Sequence, residues 1–555
     1  MPDLDTIVIG SGAGGLTAAV ALAQAGQRVL VLEQHYLPGG WCHSFPLGGH
    51  LFSPGVHYIG GLQPGGESRK IYEGLGVSGD LVFCELNPDG YDHVWLGEGR
   101  YHHMKGRDRT AAALGAAFPD DARGIDAALR SLSEIADGLG DLSRARGPAA
   151  LAGAMWKHPT MARWGFGSLD RLLRHHVQSP HARAVLAAQC GDHGLTPRNA
   201  SAVLHAGLAA HYFDGGWYPM GGARALPRAF LRALRRAKGE IRVKTPVSRI
   251  LTERGSTGRR AVGVRLESGE EITAHQVVSN ADPEVTYRRL VGPENISPKL
   301  LKRLNTARWG ATCLSLFMAA RFDPAALGLD SGNYWVFPTP DLELAFGAGL
   351  TMPLDQITEL PGLFLTITTA KDPTKRVGDV QTMEAFALVP YDPFAAWADT
   401  HPDRRPESYQ RVKRHLSGLM LDAVGKVIPD IRDRLVFHEL GTPLTNVHYC
   451  ASTRGSMYGT EKNLGQLGPM SFPVRSEVEG LFLCGASTMY HGVMGATTSG
   501  LVAASKVLGA PREQLLRQQG APLRTVLSDH PEDWPEDLRA KLKAGPPPLV
   551  EEAEG

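Results

Sequence analysis

The clearest pattern of hydrophobic and polar positions in this 555-residue chain lies between residues 4 and 34. A short apolar run with β-branched side chains at 6–9 predicts a buried parallel strand. A glycine-rich turn follows, and an alanine-rich helix predicted over 16–25 stops at Gly26. A second apolar run, Val29–Leu32, is followed directly by Glu33. This pattern predicts a strand–turn–helix–strand unit of the parallel α/β type.

Helical and strand-like patterns then alternate along the chain. Residues 67–150 predict mixed short helices, and Pro159 prevents one long helix over 151–176. Strands or extended segments are predicted over 51–59, 241–252, 260–266 and 271–279, and four more follow Ala311. We expect an α/β protein (α+β overall) with a nucleotide-binding domain assembled from the separated segments 1–105, 215–300 and 435–519. Residues 106–214 and 301–434 predict a mixed-sheet and helical substrate domain, and 520–555 a charged, Pro-rich tail.

Composition narrows the classes of function. A net charge of +1 gives no basic field for nucleic acid, and 555 residues are too many for one core. The six cysteines make no C-x-x-C pair and no zinc spacing, which favours a reducing compartment and no metal site. No uninterrupted apolar run of about 18 residues is present, as a membrane span requires. The first strand begins too close to Met1 for a signal peptide, so we expect a cytoplasmic protein.

The glycine-rich turn fits the G-x-G-x-x-G pattern of a dinucleotide site. Gly10 permits the tight turn, Gly12 lets the backbone approach a pyrophosphate, and Gly15 lets the helix pack closely on the strand. Glu33, at the carboxyl end of the second strand, is placed to accept hydrogen bonds from a ribose. The alternative is a glycine-rich surface turn before an ordinary helix. It does not explain why Glu33 ends the second strand.

A second nucleotide signature lies in the last third of the chain. Residues 481–484 predict a strand that ends at Gly485, followed by a loop and a helix that begins near Met494. A strand that leads into a helix N-terminus brings amide donors and a positive dipole to anionic ligand atoms. No second G-x-G-x-x-G follows a strand, so a separate NAD(P)H domain is not expected.

Residues 151–176 mix large apolar side chains with basic ones. Such a mixture suits a surface that rests on lipid headgroups, which predicts peripheral contact with the inner face of a membrane. The same residues equally suit a helical cap over a substrate pocket, and both can hold because a cap can form a membrane-facing entrance.

Five sequence blocks occur in an order that resembles a known family. They are VIGSGAGGLTAAVALAQAGQRVLVLEQ, the following PGG, WYPMGGARALPRAF, VVSNAD and GLFLCGAST with HGVMGATTSG. Together they resemble the phytoene desaturase family, which includes carotenoid isomerases, carotenoid saturases and retinol saturase, over nearly the whole chain up to about residue 510. The segments PGGWCHSF and SPGVHYIGG are most similar to retinol saturase and its bacterial relatives, whereas most desaturases have an arginine at the position of Trp41.

The resemblance implies a Rossmann-type FAD-binding domain of the glutathione-reductase and amine-oxidase superfamily. The second signature agrees, because a helix start for the far end of an FAD molecule is not needed by a nicotinamide dehydrogenase. The implied FAD-binding residues are Gly10, Gly12, Ala13, Gly14, Gly15, Glu33, Gln34, Gly39, Gly40, Val247, Gly485, Ala486, Val493 and Met494. The last two would direct amides at the pyrimidine edge of the flavin, where the reduced ring carries negative charge.

The implied activity is hydride transfer between flavin and a carbon–carbon bond of a hydrophobic lipid, either isoprenoid or fatty-acyl. It can run as saturation or desaturation, or as carotenoid isomerisation, with an unidentified electron donor or acceptor. Candidate acid, base or orienting groups are His57, Tyr58 and His491, each of which could equally be a hydrogen-bonded packing residue. Two alternatives from other classes are an amine-oxidase-type enzyme with a polar substrate and a non-catalytic prenyl-lipid escort protein.

Overall fold

Two seven-stranded sheets organise the chain in a computed structural model that describes residues 4–145, 147–256, 258–346, 353–517 and 520–546. The strands are β1 Leu4–Ile9, β2 Val29–Leu32, β3 Phe45–Leu47, β4 His50–Phe52, β5 Val82–Glu85, β6 Asp92–Leu96, β7 Gly99–His103, β8 Trp217–Pro219, β9 Glu240–Arg242, β10 Val247–Arg254, β11 Arg259–Leu266, β12 Glu271–Ser279, β13 Thr312–Arg321, β14 Asn333–Phe337, β15 Leu363–Ile367, β16 Val380–Val389, β17 Leu435–Gly441, β18 Leu481–Leu483 and β19 Arg524–Leu527.

The α-helices lie between and around these strands. They are α1 Ala13–Gln24, α2 Glu67–Gly74, α3 Arg107–Ala117, α4 Ala122–Arg144, α5 Gly147–Lys157, α6 Leu169–His176, α7 Pro180–Ala187, α8 Ala202–Tyr212, α9 Ala225–Arg236, α10 Pro298–Thr306, α11 Leu342–Phe346, α12 Thr368–Lys371, α13 Glu407–Gly425, α14 Ile431–Arg434, α15 Pro443–Cys450, α16 Gly492–Leu508, α17 Arg512–Leu515 and α18 Glu536–Ala544. No helix within the described ranges is long and apolar enough to cross a membrane.

The first sheet contains five parallel strands in the order β9-β2-β1-β12-β18. The register pairs Ile9 with both Leu32 and Ser279, so β1, β2 and β12 end at the same edge. Near its start β12 also pairs antiparallel with β11, which pairs with β10. The residues that follow these strand ends are therefore neighbours in space although they are far apart in sequence.

Helices α1, α9 and α16 cover one face of the first sheet, and their apolar sides share one core with β1 and β2. Helices α1 and α16 cross at very close range at Gly14 and Gly500. A Cβ on Gly500 would lie only 2.0 Å from the carbonyl oxygen of Gly14. The opposite face packs against β10, β11 and the π-helical turn Glu284–Val291. The β1–α1–β2 unit confirms the fold class predicted from the opening pattern.

The second sheet has the order β17-β13-β16-β15-β14-β6-β7 and is antiparallel except for the β14–β6 pair. One face packs on α13, and the aromatic side chains of the other face pack towards α4, α6, α7 and α8. Two of its strands, β6 and β7, lie in the range 67–150, for which the sequence predicts short helices. The predicted nucleotide-binding domain also includes these residues. Their short, histidine-containing runs carry little strand signal, and their pairing with β14 determines their conformation.

Two predicted strands are interrupted. The segment predicted over 51–59 is a strand only at His50–Phe52, since Pro54 cannot donate to a ladder and the chain turns away. The run over 241–252 divides at Pro246 into β9, which joins the parallel strands, and β10, which pairs with β11. The first interruption matters for function, because it carries His57 and Tyr58 away from the hairpin β3–β4.

The C-terminal residues 520–546 pack against the rest of the protein. Strand β19 pairs parallel with β5, which pairs antiparallel with β8. Trp534 and Leu538 are buried against Cys84, and Ser331 donates hydrogen bonds to Asp529 at 2.6 and 3.0 Å. The described part of the predicted tail, residues 520–546, therefore contributes a strand and a buried cluster.

Candidate active site

A cavity of about 760 Å³ lies between the carboxyl edge of the first sheet and the aromatic face of the second. Ile9, Leu32 and Asn280 line it from the first sheet. Helices α4 and α8 close the far side, where the wall includes Leu139 and Gly207. The cavity therefore joins the predicted nucleotide cleft to a chamber inside the second domain.

Glycine backbone and one asparagine form the wall beside β1. Gly10 has a φ of +88°, a conformation that favours glycine at the end of the strand. A Cβ on Gly12 would lie 2.5 Å from Asn280 Nδ2, and one on Gly14 would lie 2.9 Å from the amide nitrogen of Gly485. The N-terminus of α1 thus meets the cavity with glycine backbone and the small side chain of Ala13, which lets a pyrophosphate approach its amides.

Glu33 is held rigidly at the end of β2. Its Oε2 accepts hydrogen bonds from Ser11 N at 2.8 Å and Ser11 Oγ at 2.6 Å, and its Oε1 accepts one from His35 N at 2.8 Å. The Ser11 hydroxyl oxygen in turn accepts a hydrogen bond from Gly39 N at 3.0 Å. These contacts fix the carboxylate where a ribose hydroxyl would be bound.

The N-terminus of α16 meets the opposite side of the same cleft. His491 precedes the helix, and its side chain makes no capping hydrogen bond. The first-turn residues Val493 and Met494 line the cavity. The amides of this turn and the dipole of a 17-residue helix therefore face the space where the anionic edge of a flavin would lie.

The residues present fit FAD at both ends of the cleft. The predicted cofactor residues that line the cavity are Gly10, Gly12, Ala13, Gly14, Glu33, Gln34, Gly39, Gly40, Val247, Gly485, Ala486, Val493 and Met494. Gly15 lies outside the lining and supports the turn, because a Cβ there would lie 2.1 Å from the carbonyl oxygen of Gly10. Trp41 also lines the cavity. The individual contacts of these residues with FAD stay predictions.

The chamber beyond the cleft is apolar and aromatic. Its lining from the second domain includes Trp335, Phe346, Leu363, Phe364, Phe386 and Leu388. The ring centroids of Trp335 and Phe364 lie 4.7 Å apart. Such a wall suits an extended hydrophobic substrate more than a polar one.

His57, one of the predicted catalytic residues, lines the cavity and is paired with a buried acid. Its Nε2 lies 3.1 Å from Glu384 Oε2, and its ring packs 4.6 Å from that of Phe386. Burial lowers the pKa of His57, and the hydrogen bond to Glu384 opposes that shift. This partnership is equally compatible with a packing role and with an orienting one.

Tyr58 lines the cavity between two carboxyl groups. Its hydroxyl oxygen lies 2.6 Å from Asp192 Oδ2 and 3.1 Å from Asp92 Oδ2. Burial raises the pKa of Asp192 to about 8, and the neighbouring Asp92 adds to the shift. Burial also raises the pKa of Asp92, although Asn333 and Gln189 donate hydrogen bonds to it.

A fully buried lysine joins this cluster to the His57 segment. Lys371 Nζ donates to the backbone carbonyl of His57 at 2.6 Å and also to Asn333 Oδ1. Burial lowers the pKa of Lys371 to about 7, with Asp92 and Glu384 opposing the shift. The backbone that carries His57 and Tyr58 is thus held by a buried hydrogen bond from a lysine that does not line the cavity.

His491, the third predicted catalytic residue, lines the cavity beside a second histidine. Its Nε2 lies 3.1 Å from His193 Nδ1, and its ring lies 4.9 Å from that of Tyr458. Burial lowers the pKa of His491 to about 3, so the ring is neutral near pH 7. It can orient or accept, but it does not serve as a cationic acid.

Sequence reasoning brought His57, Tyr58 and His491 to one cavity and missed the groups around them. Asp192 comes from the 3₁₀ segment Ala188–His193, Asp92 from β6 and Lys371 from α12. None of these belongs to a local motif. The VVSNAD block contained Asn280 as a usable signal, because it directly follows a strand that ends beside β1.

Comparison with known proteins finds similarity over most of this chain. Residues 13–508 match a family described as flavin containing amine oxidoreductase. The all-trans-retinol 13,14-reductase of Danio rerio is 32% identical over 529 residues, which cover 91% of this chain and 86% of that protein. Prolycopene isomerase 1, chloroplastic, of an Oncidium hybrid cultivar is 25% identical over 523 residues, covering 91% and 84%.

Solved structures support the same fold. The cyclohexylamine oxidase of Brevibacterium oxydans IH-35A matches with a TM-score of 0.58 at 19% identity, and the match covers 93% of this chain and 100% of that one. At this identity the likeness concerns the fold alone. The two-domain α/β architecture predicted from the sequence agrees with it.

Proposed function

This chain belongs to the flavin-containing amine oxidoreductase family, and on that premise we propose that it saturates a carbon–carbon double bond of a hydrophobic polyene, a retinoid or related isoprenoid. The support from relatives is the 32% identity to an all-trans-retinol 13,14-reductase over most of both chains. The observation that carries the proposal is one cavity that joins an FAD cleft to an aromatic chamber.

FAD supplies hydride transfer when it is bound. Glu33 and the amides at the N-terminus of α1 would hold its adenosine and pyrophosphate, and the first turn of α16 would face the flavin end. The aromatic wall around Phe364 and Phe386 would orient a polyene and exclude water from the reacting carbons. A buried acid, Asp192, lies on the same cavity and can hold a proton.

An anaerobic single turnover tests this function. The bound flavin is reduced, and all-trans-retinol, a carotenoid and an unsaturated fatty acid are added in turn. We expect a retinoid or carotenoid to reoxidise the flavin and to give a product about two mass units heavier, as two-electron reduction requires. If none of them reoxidises the flavin, while a saturated lipid reduces the oxidised enzyme, the direction is desaturation and the proposal is wrong.

Isomerisation is the second candidate. It is favoured by the 25% identity to a prolycopene isomerase over 91% of this chain. An isomerase would return a product of unchanged mass with a shifted absorption spectrum, and the flavin would end in the redox state in which it began. The same single-turnover experiment therefore separates the two activities.

A lipid surface is the partner we propose for the helical cap. On α5 the side chain of Trp156 is 89% exposed and Leu151 is 45% exposed, and Phe166 nearby is 52% exposed. Lys157 Nζ lies 2.6 Å from Asp141 Oδ2. Asp141 directly follows Gly140 of α4, which lines the cavity. The exposed apolar residues thus adjoin the far wall of the chamber, where a lipid substrate could enter from a bilayer.

Liposome sedimentation tests this surface. Charge reversal at Lys157, Arg163 and Arg171, or Trp156→Ala, should reduce binding to vesicles that contain anionic lipid. Lys302→Glu on α10, which packs against the first sheet, is the matched control and should leave binding unchanged. Binding that survives all of the cap substitutions would contradict the proposal.

A further inference from the structure

One tyrosine hydroxyl lies between two carboxyl groups at the wall of the cavity. Tyr58 Oη is 2.6 Å from Asp192 Oδ2 and 3.1 Å from Asp92 Oδ2. A phenol carries a single proton, so it can donate to only one carboxylate at a time. Both contacts are hydrogen bonds only if one of the two acids carries a proton of its own.

The surroundings decide which acid is protonated. Asp92 is fully buried behind the wall, where its Oδ1 accepts from Asn333 Nδ2 at 2.8 Å and its Oδ2 from Gln189 Nε2 at 2.7 Å. Amide donors of this kind stabilise a carboxylate anion, and the ammonium of Lys371 attracts it further. Asp192 has no such amide pair among its described hydrogen bonds and lies on the cavity. Asp92 is therefore the anion and Asp192 the acid.

The groups that face Asp192 agree with this assignment. The titratable and charged ones are Asp92, Tyr58, Tyr91, Tyr212, Lys371, Tyr458, Cys190, His193 and His491. The Cys190 thiol is neutral near pH 7, because burial raises its pKa well above the usual value. The tyrosines are neutral near pH 7, because burial raises the pKa of each well above its usual value. His193 and His491 are neutral, because burial lowers the pKa of both rings. Charge near Asp192 thus comes from Asp92, which opposes ionisation, and from Lys371, which favours it.

We propose that Asp192 is the proton donor of this cavity, with its carboxyl hydrogen directed at Tyr58 Oη and the Tyr58 hydroxyl directed at the Asp92 carboxylate. The proposal rests on the proposed saturation. There the C=C π bond breaks and two C–H bonds form, one from a hydride and one from a proton. Reduced flavin, recharged by an external two-electron donor, supplies the hydride. For the transfer, the Asp192 carboxyl group turns its hydrogen from Tyr58 Oη to the other carbon, and repulsion from Asp92 then drives its reprotonation from water.

Asp192 is better suited to donate a proton than His57 and His491, two histidines that line the same cavity. His57 is bound through Nε2 to the buried Glu384, and His491 is a neutral ring. A carboxylic acid that stays protonated near pH 7 meets the requirement for a general acid directly. His57 and His491 are then residues that position the substrate or the wall.

Infrared difference spectroscopy of the FAD-loaded enzyme tests the protonation state without any substrate. We expect a protonated-carboxyl C=O band at pH 7 that disappears as pH rises through about 8 and is absent from Asp192→Asn. In Asp92→Asn the loss of the negative neighbour should move this transition to lower pH. An identical band in wild type and Asp192→Asn would overturn the proposal.

Single turnover in D₂O tests the transfer itself. Both new C–H bonds of the product should contain solvent deuterium, because the N5 hydrogen of reduced flavin exchanges with solvent as the carboxyl hydrogen does. Asp192→Asn should slow product formation about 10²- to 10⁴-fold. Flavin reduction by dithionite and polyene binding should be unchanged, and Asp192→Glu should restore part of the rate. Wild-type rates in Asp192→Asn would overturn the proposal. If wild-type enzyme saturates no polyene, the proposed function fails, while the infrared titration still decides the state of Asp192.

Discussion

Buried ionisable side chains give the cavity its chemistry at the scale of single residues. Local motifs predicted Gly10, Gly12 and Glu33, because each follows or ends a strand with a clear apolar pattern. The sequence also indicated His57 and Tyr58 through a resemblance. It could not indicate Asp192 or Lys371, since their importance comes from burial and from neighbours that are distant in sequence.

Tyr58→Phe tests the shared hydroxyl. When Asp192 is ionised, the Tyr58 hydroxyl turns from Asp92 and donates to Asp192, which lowers the pKa of Asp192. Loss of this hydroxyl should therefore raise that pKa above about 8. An acid with a higher pKa stays protonated to higher pH, and the alkaline limb of the pH–rate profile of saturation should move upward. A limb that stays in place would show that Asp192 and Tyr58 are not coupled. The measurement is the rate of flavin reoxidation by polyene across pH 6 to 10, a range that brackets the expected pKa.

His211→Gln tests the cost of a buried neutral histidine. His211 Nε2 accepts from Gly60 N at 2.9 Å, and burial lowers the pKa of His211 from 6.5 to about 4. The unfolded chain takes up a proton below pH 6.5 and the folded protein does not, so stability falls as pH decreases from 6.5 to 4. Glutamine does not titrate, so His211→Gln removes this pH-dependent loss of stability. At pH 4 the free energy of unfolding of the variant should exceed that of wild type by up to about 3 kcal/mol.

Urea unfolding at pH 8 and at pH 4.5 measures the effect. At pH 8 the glutamine variant should equal wild type or be less stable, because His211 is then neutral in both states. A difference in unfolding free energy that does not change with pH would show that this ring is not the titrating group.

Elements with a strong local pattern were predicted well, and elements that depend on distant partners were not. The β1–α1–β2 unit and β12 have nearly the predicted bounds, although α1 begins at Ala13 rather than Leu16. The strands β6 and β7 were missed, because β6 pairs with β14 across more than 200 residues of sequence. The path of His57 depends on the interruption at Pro54, which shortens the expected strand to three residues.

Gly500→Ala tests the close crossing of α1 and α16. The new Cβ would lie 2.0 Å from the carbonyl oxygen of Gly14, and backbone cannot rotate away as a side chain can. We expect a loss of about 3 kcal/mol in unfolding free energy and weaker FAD retention, since both helix N-termini face the cleft.

Gly153→Ala is the matched control, because it makes the same change in α5 at a position where a new Cβ meets nothing within 4 Å. It should leave FAD retention unchanged and stability equal or up to about 1 kcal/mol higher. Equal effects of the two substitutions would mean that helix propensity, not the crossing, dominates at Gly500.

At the scale of the whole molecule, the chain passes repeatedly between the two sheets. Strands of the first sheet come from both ends of the sequence, and β6 and β7 reach the second sheet before α9 returns to the first. The two nucleotide signatures and the strands predicted between them indicated a domain assembled from separated segments, and the strand order of the first sheet agrees. The proposed division at residue 105 stays a prediction, and the pairing of β6 with β14 crosses it.

The C-terminal residues 520–546 should stabilise the small sheet β19-β5-β8 and its contacts with the rest of the protein. Trp534 is nearly fully buried, its Nε1 donates to the carbonyl of Leu527 at 2.6 Å, and it packs on Cys84 of β5. Trp534→Ala, or removal of residues 520–555, should lower stability by about 3 to 5 kcal/mol, measured by thermal unfolding of the FAD-loaded protein. Lys543→Ala on the exposed side of α18 is the control, and a truncated protein with the wild-type melting temperature would contradict this role.

The strand order of the first sheet also has a consequence during synthesis. β1 leaves the ribosome first, yet its neighbour β12 follows about 270 residues later and β18 later still. At roughly 5 to 20 residues per second, β1 waits about 14 to 55 seconds for that partner. Throughout this interval one edge of β1, whose last three residues are apolar and buried in the folded protein, has no neighbour. We therefore expect the nascent chain to expose an unpaired strand edge that favours aggregation, and to take up FAD only near the end of translation, when both halves of the cleft are present.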